Sequence, residues 1–143
     1  MTTTAHDPVA VQDEIIESFN YFTEWLDRYQ YLIDLGHQLP PLDEHEKVDE
    51  KLLPGCQSRV WLYLEGGPDQ VKIRANSDAA IVSGLIALLI QVYSGCSARQ
   101  ILDTEPYFIA RIGLSDHLSP TRANGLHAML QAIQNYARQV LPT

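Results

Sequence analysis

Apolar side chains recur at three- and four-residue steps through Val11, Ile15, Phe19, Phe22, Leu26, Tyr29 and Ile33, the spacing that gathers one face of an α-helix. The run predicts one long helix or two consecutive ones, with Gly36 as the C-terminal stop. From His37 to Leu53 the period disappears among Pro40, Pro41 and acidic residues, so a surface connection is expected, with a short edge strand near Val48. Beyond it the period changes to two. "SRVWLYLEGG" and "QVKIRANS" alternate apolar and polar positions on either side of Gly66-Gly67-Pro68-Asp69, which predicts an antiparallel hairpin. Val60, Leu62 and Leu64 share one face, Trp61 and Tyr63 the other, and large apolar groups on both call for cover over at least part of each.

The stretch "AAIVSGLIALLIQVY", from Ala79 to Tyr93, is apolar almost all the way round a helix, which marks it as the central, buried one. Asn76, Ser77 and Asp78 precede it with side-chain acceptors for its unpaired first amides, and Gly95 ends it. It is shorter than the ~20 apolar residues of a membrane span and contains Ser83, Gly84 and Gln91. Ser97 with Gln100 forms a capping-box pattern for a short helix, and Glu105-Pro106 opens another through about Ile112. Ser119-Pro120 starts the last helix, with an inward stripe of Leu126, Met129, Leu130, Ile133, Tyr136, Ala137 and Val140. Helices flanking one small antiparallel sheet of about three strands give an α+β fold, and residues 1–143 are the length of one domain.

Charge narrows the partners. Ten Lys and Arg against eighteen Asp and Glu leave a formal charge of −8, with no basic stripe of the kind that nucleic acid or anionic lipid rewards. The start, "MTTTAHDPVA", has no basic segment followed by an apolar run, so no signal peptide, no membrane segment and a cytoplasmic location are expected. In a reducing compartment Cys56 and Cys96 are expected as free thiols rather than a disulfide.

Cys56 is the first candidate for chemistry, because Gly55 lets the chain bend and present the next side chain. A small buried hydrophobe is the commoner fate of a cysteine, but Pro54 and the polar pair Gln57-Ser58 make this turn a poor place for core packing. Cys96, between two helices, fits an inert, partly buried thiol. With no C-x-x-C and no third cysteine, an all-cysteine zinc or iron–sulfur site within the chain is excluded. His6, His37, His45, His117 and His127 are scattered without a compact ligand spacing. A Cys-His hydrolase would need a histidine beside Cys56 in space, an arrangement open to His117 or His37 but with no support in the sequence beyond their presence. No nucleophile elbow, P-loop or dinucleotide fingerprint occurs. Arg122 falls in the first turn of the last helix, where peptide dipoles disfavour a cation; it is either a solvated arginine or one that meets an anion such as a thiolate or persulfide. Asp78 is accounted for by the N-terminus of the central helix.

On these residues the chain resembles the SufE family of sulfur-acceptor proteins. Four blocks carry the resemblance in order: "EWLDRYQYLIDLGHQLP" (Glu24 to Pro40), "GCQSRVWL" (Gly55 to Leu62), "NSDAAIVSGLIALL" (Asn76 to Leu89) and "LSPTRANGLHAML" (Leu118 to Leu130). The resemblance implies the fold shared with IscU-type cluster scaffolds, a small antiparallel sheet with helices packed on it. It implies that Cys56 takes persulfide sulfur from a cysteine desulfurase of the SufS type, stimulates that enzyme, and passes the sulfur to a downstream cluster scaffold complex. Gly55, Gln57 and Ser58 belong to the acceptor loop, and the residues matching Asp78 and Arg122 are tied to its packing and to desulfurase engagement. The IscU-like cluster ligands are missing, so relay fits and scaffolding does not. No cofactor or metal of the protein's own is implied, pyridoxal phosphate belonging to the partner, and the role is that of a carrier rather than a stand-alone enzyme. The exchange needs the Cys56 thiolate, which a nearby Arg122 or Arg59, or a site completed only in the complex, would favour. Two alternatives remain open: a desulfurase feeding a non-cluster acceptor, and an allosteric activator that carries no sulfur. A homodimer is compatible with the sequence.

Overall fold

The structure, a computed structural model, describes residues 6–142, so most of the N-terminal stretch used to infer location lies outside the described residues. The elements are α1 (Pro8–Asn20), α2 (Trp25–His37), β1 (Val60–Gly67), β2 (Gln70–Ser77), α3 (Ala80–Tyr93), α4 (Ala98–Asp103), α5 (Phe108–Arg111), α6 (Leu114–His117) and α7 (Pro120–Val140). Two 3-10 turns, Glu44–Glu46 and Asp49–Lys51, lie between α2 and β1. This is an α+β architecture with one antiparallel pair, β1-β2. Among the described residues no helix is long and apolar enough to cross a membrane.

Of the two readings of the run from Val11 to Ile33, the structure has the two consecutive helices, α1 and α2, and the break between them resets the helical phase. Leu32 and Leu35 are the buried residues of α2, while Leu26 is 80% exposed. Gly36 does not stop that helix. It lies in its last turn, where a methyl group on it would stand 2.8 Å from both the Gly84 nitrogen and the Ser83 Cβ; a methyl on Gly84 would strike the Leu32 carbonyl. The two glycines let α2 and α3 touch backbone to backbone, so α3, with Leu85, Ile86, Leu88, Leu89, Val92 and Tyr93 almost wholly excluded from water, is gripped from one side by α2.

The strands are in the register the alternation predicts. Leu62 pairs with Ala75 and Leu64 with Ile73 on the face toward α3 and α7, while Trp61 pairs with Asn76 and Tyr63 with Arg74 on the other. The third strand expected near Val48 is absent: Val48 caps a 3-10 turn, and only Leu52 makes an isolated bridge to Trp61. The acidic run Asp43 to Lys51 has no alternation to sustain a ladder, and it curls over the outer face of the hairpin instead. There the Tyr63 hydroxyl donates to the Glu46 carbonyl at 2.9 Å, and Arg74 bridges Glu46 and Glu65, each at 2.8 Å. The supposed surface connection is the cover that the apolar outer face requires.

Local capping chemistry holds α4 and α7 as read. The helix expected from Glu105-Pro106 to about Ile112 instead shortens to α5, without a side-chain cap, and α6, entered through the left-handed Gly113, is an element the sequence did not predict. Ser97 and Gln100 close a reciprocal capping box on α4, at 2.8 and 3.1 Å. Gln12, wholly buried on α1, donates to the Glu105 carbonyl at 3.1 Å and accepts from the Phe108 amide at 3.2 Å, so both ends of its amide are satisfied as burial demands. The stripe of α7 buries Leu126, Met129, Ile133 and Ala137.

The α2–α3 crossing has a direct test. Gly84→Ala should lower stability by roughly 1–3 kcal/mol through overpacking in urea unfolding, despite its better helix propensity. Gly67→Ala, whose methyl meets nothing within 4 Å, should stay within about 0.5 kcal/mol. Equal stability of the two variants would contradict the close crossing.

Candidate functional site

Residues 54–59 form a short loop leading into β1, and three bonds hold its ends. The Leu53 amide donates to the Val60 carbonyl at 2.9 Å; the Arg59 amide donates to the Asp78 carboxylate at 3.0 Å, and the Asp78 amide returns a bond to the Arg59 carbonyl at 3.3 Å. Asp78 therefore does not cap α3, whose N-cap is Ala79 with no side-chain bond. Its carboxylate pins the loop instead. At the other end Gly55 has φ +90°, a conformation that side chains disfavour, and its backbone passes so near α7 that an added methyl would stand 3.5 Å from the Ala128 Cβ.

This bend turns the Cys56 side chain inward. Sγ lies 3.8 Å from the carbonyl of Gly125 on α7, a weak S–H···O contact, and the residue is half-buried. Beside it is a cavity of about 20 Å³. Its floor is apolar and buried, made by Val82 and Leu85 of α3 with Gly125, Leu126 and Met129 of α7; its rim is polar, made by Gln57, Ser58, Thr121 and Arg122. Cys56, Gln57, Ser58 and Arg122 thus meet at one place, while Gly55 and Asp78 shape the loop without lining it.

Electrostatics keep the thiol quiet in this conformation. Burial pushes the Cys56 pKa up, and burial is its one cause, because an apolar surround disfavours the charged form. The expected help from Arg122 or Arg59 is not realised here. Arg122 is exposed on the rim, its amide held by the Ser119 Oγ at 3.2 Å, and among the described residues it makes no ion pair. No histidine lines the cavity. His117 is engaged elsewhere, stacked on Trp25 with ring centroids 3.7 Å apart, so Cys56 lacks a general base of the hydrolase kind. Among the described residues no three metal-ligating side chains come together. Cys96 is fully buried, donates to the Val92 carbonyl at 3.4 Å and has its pKa pushed up to about 11, mainly by burial; it is an inert thiol.

The floor of the cavity is what sequence reasoning missed. Val82, Leu85 and Met129 read only as core residues, because nothing local says that α3 and α7 converge under the loop. Gly125 did carry a signal: a glycine inside a helix weakens it by about 1 kcal/mol relative to alanine, and so calls for a reason.

Comparison with known proteins shows the family and the fold. A model of the family described as "SufE: Fe-S metabolism associated domain" matches residues 13–137. Among solved structures, the chain is similar to the solution structure of a hypothetical protein from Thermus thermophilus, with a TM-score of 0.74 and 24% identity over 93% of this chain and 97% of that one; that likeness shows the fold. Because the family match takes in the loop, its clamp and the helix beneath it, the chain belongs to the SufE family, a domain associated with iron–sulfur metabolism.

Proposed function

We propose that the protein is a sulfur relay in which Cys56 accepts persulfide sulfur from a SufS-type cysteine desulfurase, stimulates its turnover, and delivers the sulfur to a downstream iron–sulfur scaffold complex in the cytoplasm. The observation that carries the proposal is Cys56 itself, presented on a pinned loop yet folded back over an apolar cavity with a polar mouth. Both cysteines are free thiols, the state a reducing compartment maintains.

The exchange needs the thiolate. Cys56 Sγ attacks the terminal sulfur of the donor persulfide; a new S–S bond forms at Cys56, the donor's S–S bond breaks, and its electron pair leaves with the donor cysteine as thiolate. Delivery repeats the step with Cys56 as leaving group. In the folded-back conformation the protonated thiol is favoured and faces inward, so the free protein reacts slowly. Release breaks the weak contact to Gly125 and loosens the Arg59–Asp78 tie, while the Leu53–Val60 bond remains as a hinge. Binding of the desulfurase supplies the differential contacts that favour release. Arg122, exposed without an acidic partner at the mouth, is suited to a carboxylate or persulfide anion there. The charge of −8 favours encounter with a basic rim on the desulfurase.

Incubation with a cysteine desulfurase and free cysteine should add sulfur to Cys56, seen by peptide mass spectrometry, and leave Cys96 unmodified. Cys56→Ser should accept none and lose the stimulation of desulfurase turnover. Undiminished stimulation by Cys56→Ser would instead identify an allosteric activator. A second prediction concerns pH. The folded-back state favours the protonated thiol, so its advantage is complete below the ordinary thiol range and is lost as pH rises through the raised value. Iodoacetamide alkylation of Cys56 should therefore be slower in the folded than in the denatured protein, with its rate midpoint at higher pH. Asp78→Ala should raise the rate at neutral pH by roughly 3- to 10-fold, the effect of losing one hydrogen bond of about 1 kcal/mol. An unchanged rate would remove Asp78 from the loop's support.

A further inference from the structure

We propose that Gly125 sets the capacity of the Cys56 cavity at a single added sulfur, so that a one-sulfur persulfide is stored closed while longer sulfur chains are left open to solvent. The inference rests on the relay reading for its meaning and goes beyond it by naming the residue that decides what the closed form can hold.

Gly125 is buried within regular helix, without a positive φ, so its backbone does not require glycine. Alanine would suit the helix better. A methyl group on it would meet one neighbour within 4 Å, the Cys56 Sγ at 3.5 Å. That is ordinary contact, so alanine could coexist with the reduced thiol. The space it would take is space beside Sγ, in a cavity of about 20 Å³ that both residues line. Such a volume admits one water-sized atom, close to the bulk of one sulfur. The surrounding floor, Val82, Leu85 and Met129, belongs to packed helices and does not yield freely. A second sulfur or a thiol adduct exceeds that volume and must extend through the polar mouth or hold the loop out, exposed to solvent either way.

The difference matters chemically. A persulfide in water is reduced by two small-thiol molecules to the thiol and hydrogen sulfide, the small thiols being oxidised to their disulfide, whereas one folded against apolar side chains is shielded. A cavity with a one-sulfur limit keeps the deliverable species and exposes overloaded chains to trimming by those same thiols.

The test loads the protein with inorganic polysulfide, without a desulfurase. The Cys56 thiolate attacks a polysulfide sulfur, one S–S bond forms and one breaks, and the polysulfide leaves shorter by the sulfurs transferred, as a dianion. After desalting, loss of each adduct to dithiothreitol is followed by mass spectrometry, and alkylation of the unloaded protein is measured in parallel. In the wild type the one-sulfur adduct should be lost about tenfold more slowly than adducts of two or more sulfurs, in line with an overpacking penalty of the usual size. Gly125→Ala should leave alkylation of the unloaded thiol within about twofold and speed loss of the one-sulfur adduct about tenfold. Val82→Ala in that background should restore part of the protection by returning volume. Equal loss of short and long adducts in the wild type would overturn the inference. So would a Gly125→Ala variant that speeds alkylation and sulfur loss alike, or neither. If polysulfide-loaded protein behaves as expected but a desulfurase cannot load Cys56, the relay reading fails and the capacity limit stands; the reverse pattern separates them the other way.

Discussion

The proposed function depends on a thiol being folded back against α7 from a loop on another part of the chain. Cys56 Sγ approaches Gly125 of α7, and that one approach couples three otherwise separate parts: the pinned loop, the hairpin it feeds, and the floor made by α3 and α7. The contact is weak, and weakness suits it. A half-buried sulfur with a long S–H···O contact is neutral and sheltered, yet it can leave without unfolding anything.

The scaffold makes the contact reproducible. α3 is immobilised by the two-glycine crossing with α2 and by burial nearly all round, and α7 lies against it through Leu126, Met129 and Ile133. The hairpin is fixed by its register, its outer face by Arg74, Glu46 and Tyr63. The loop between is short and tied at both ends, so its freedom is largely confined to whether Cys56 points in or out. Under the proposed relay, storage and release are two positions of one short loop on a rigid frame.

Much of the fold was legible because its signals are local. The hairpin follows from alternation around Gly66 to Asp69, the start of α4 from Ser97 and Gln100, and the start of α7 from Ser119 and Pro120. What failed involved distant segments. Gly36 looked like a helix stop, but its reason is Gly84, far along the chain. Asp78 looked like a cap for α3, but its carboxylate serves the Arg59 amide. The strand expected near Val48 became a cover, since pairing needs alternation that Asp43 to Lys51 lack. At the site, Cys56, Gln57, Ser58 and Arg122 were found on sequence and meet in space, but the arginine is at the rim and burial, not a cation, governs the thiol. The apolar floor was invisible because the convergence of α3 and α7 has no signature in either helix alone.

The central claim is that Cys56 rests folded back and is released by its partner. Amide hydrogen exchange across residues 54–59, measured with and without a cysteine desulfurase, tests it most directly. The account predicts slow exchange in the free protein at the Arg59 amide, which donates to Asp78, and faster exchange there when the desulfurase is present; the same protection in both would contradict it.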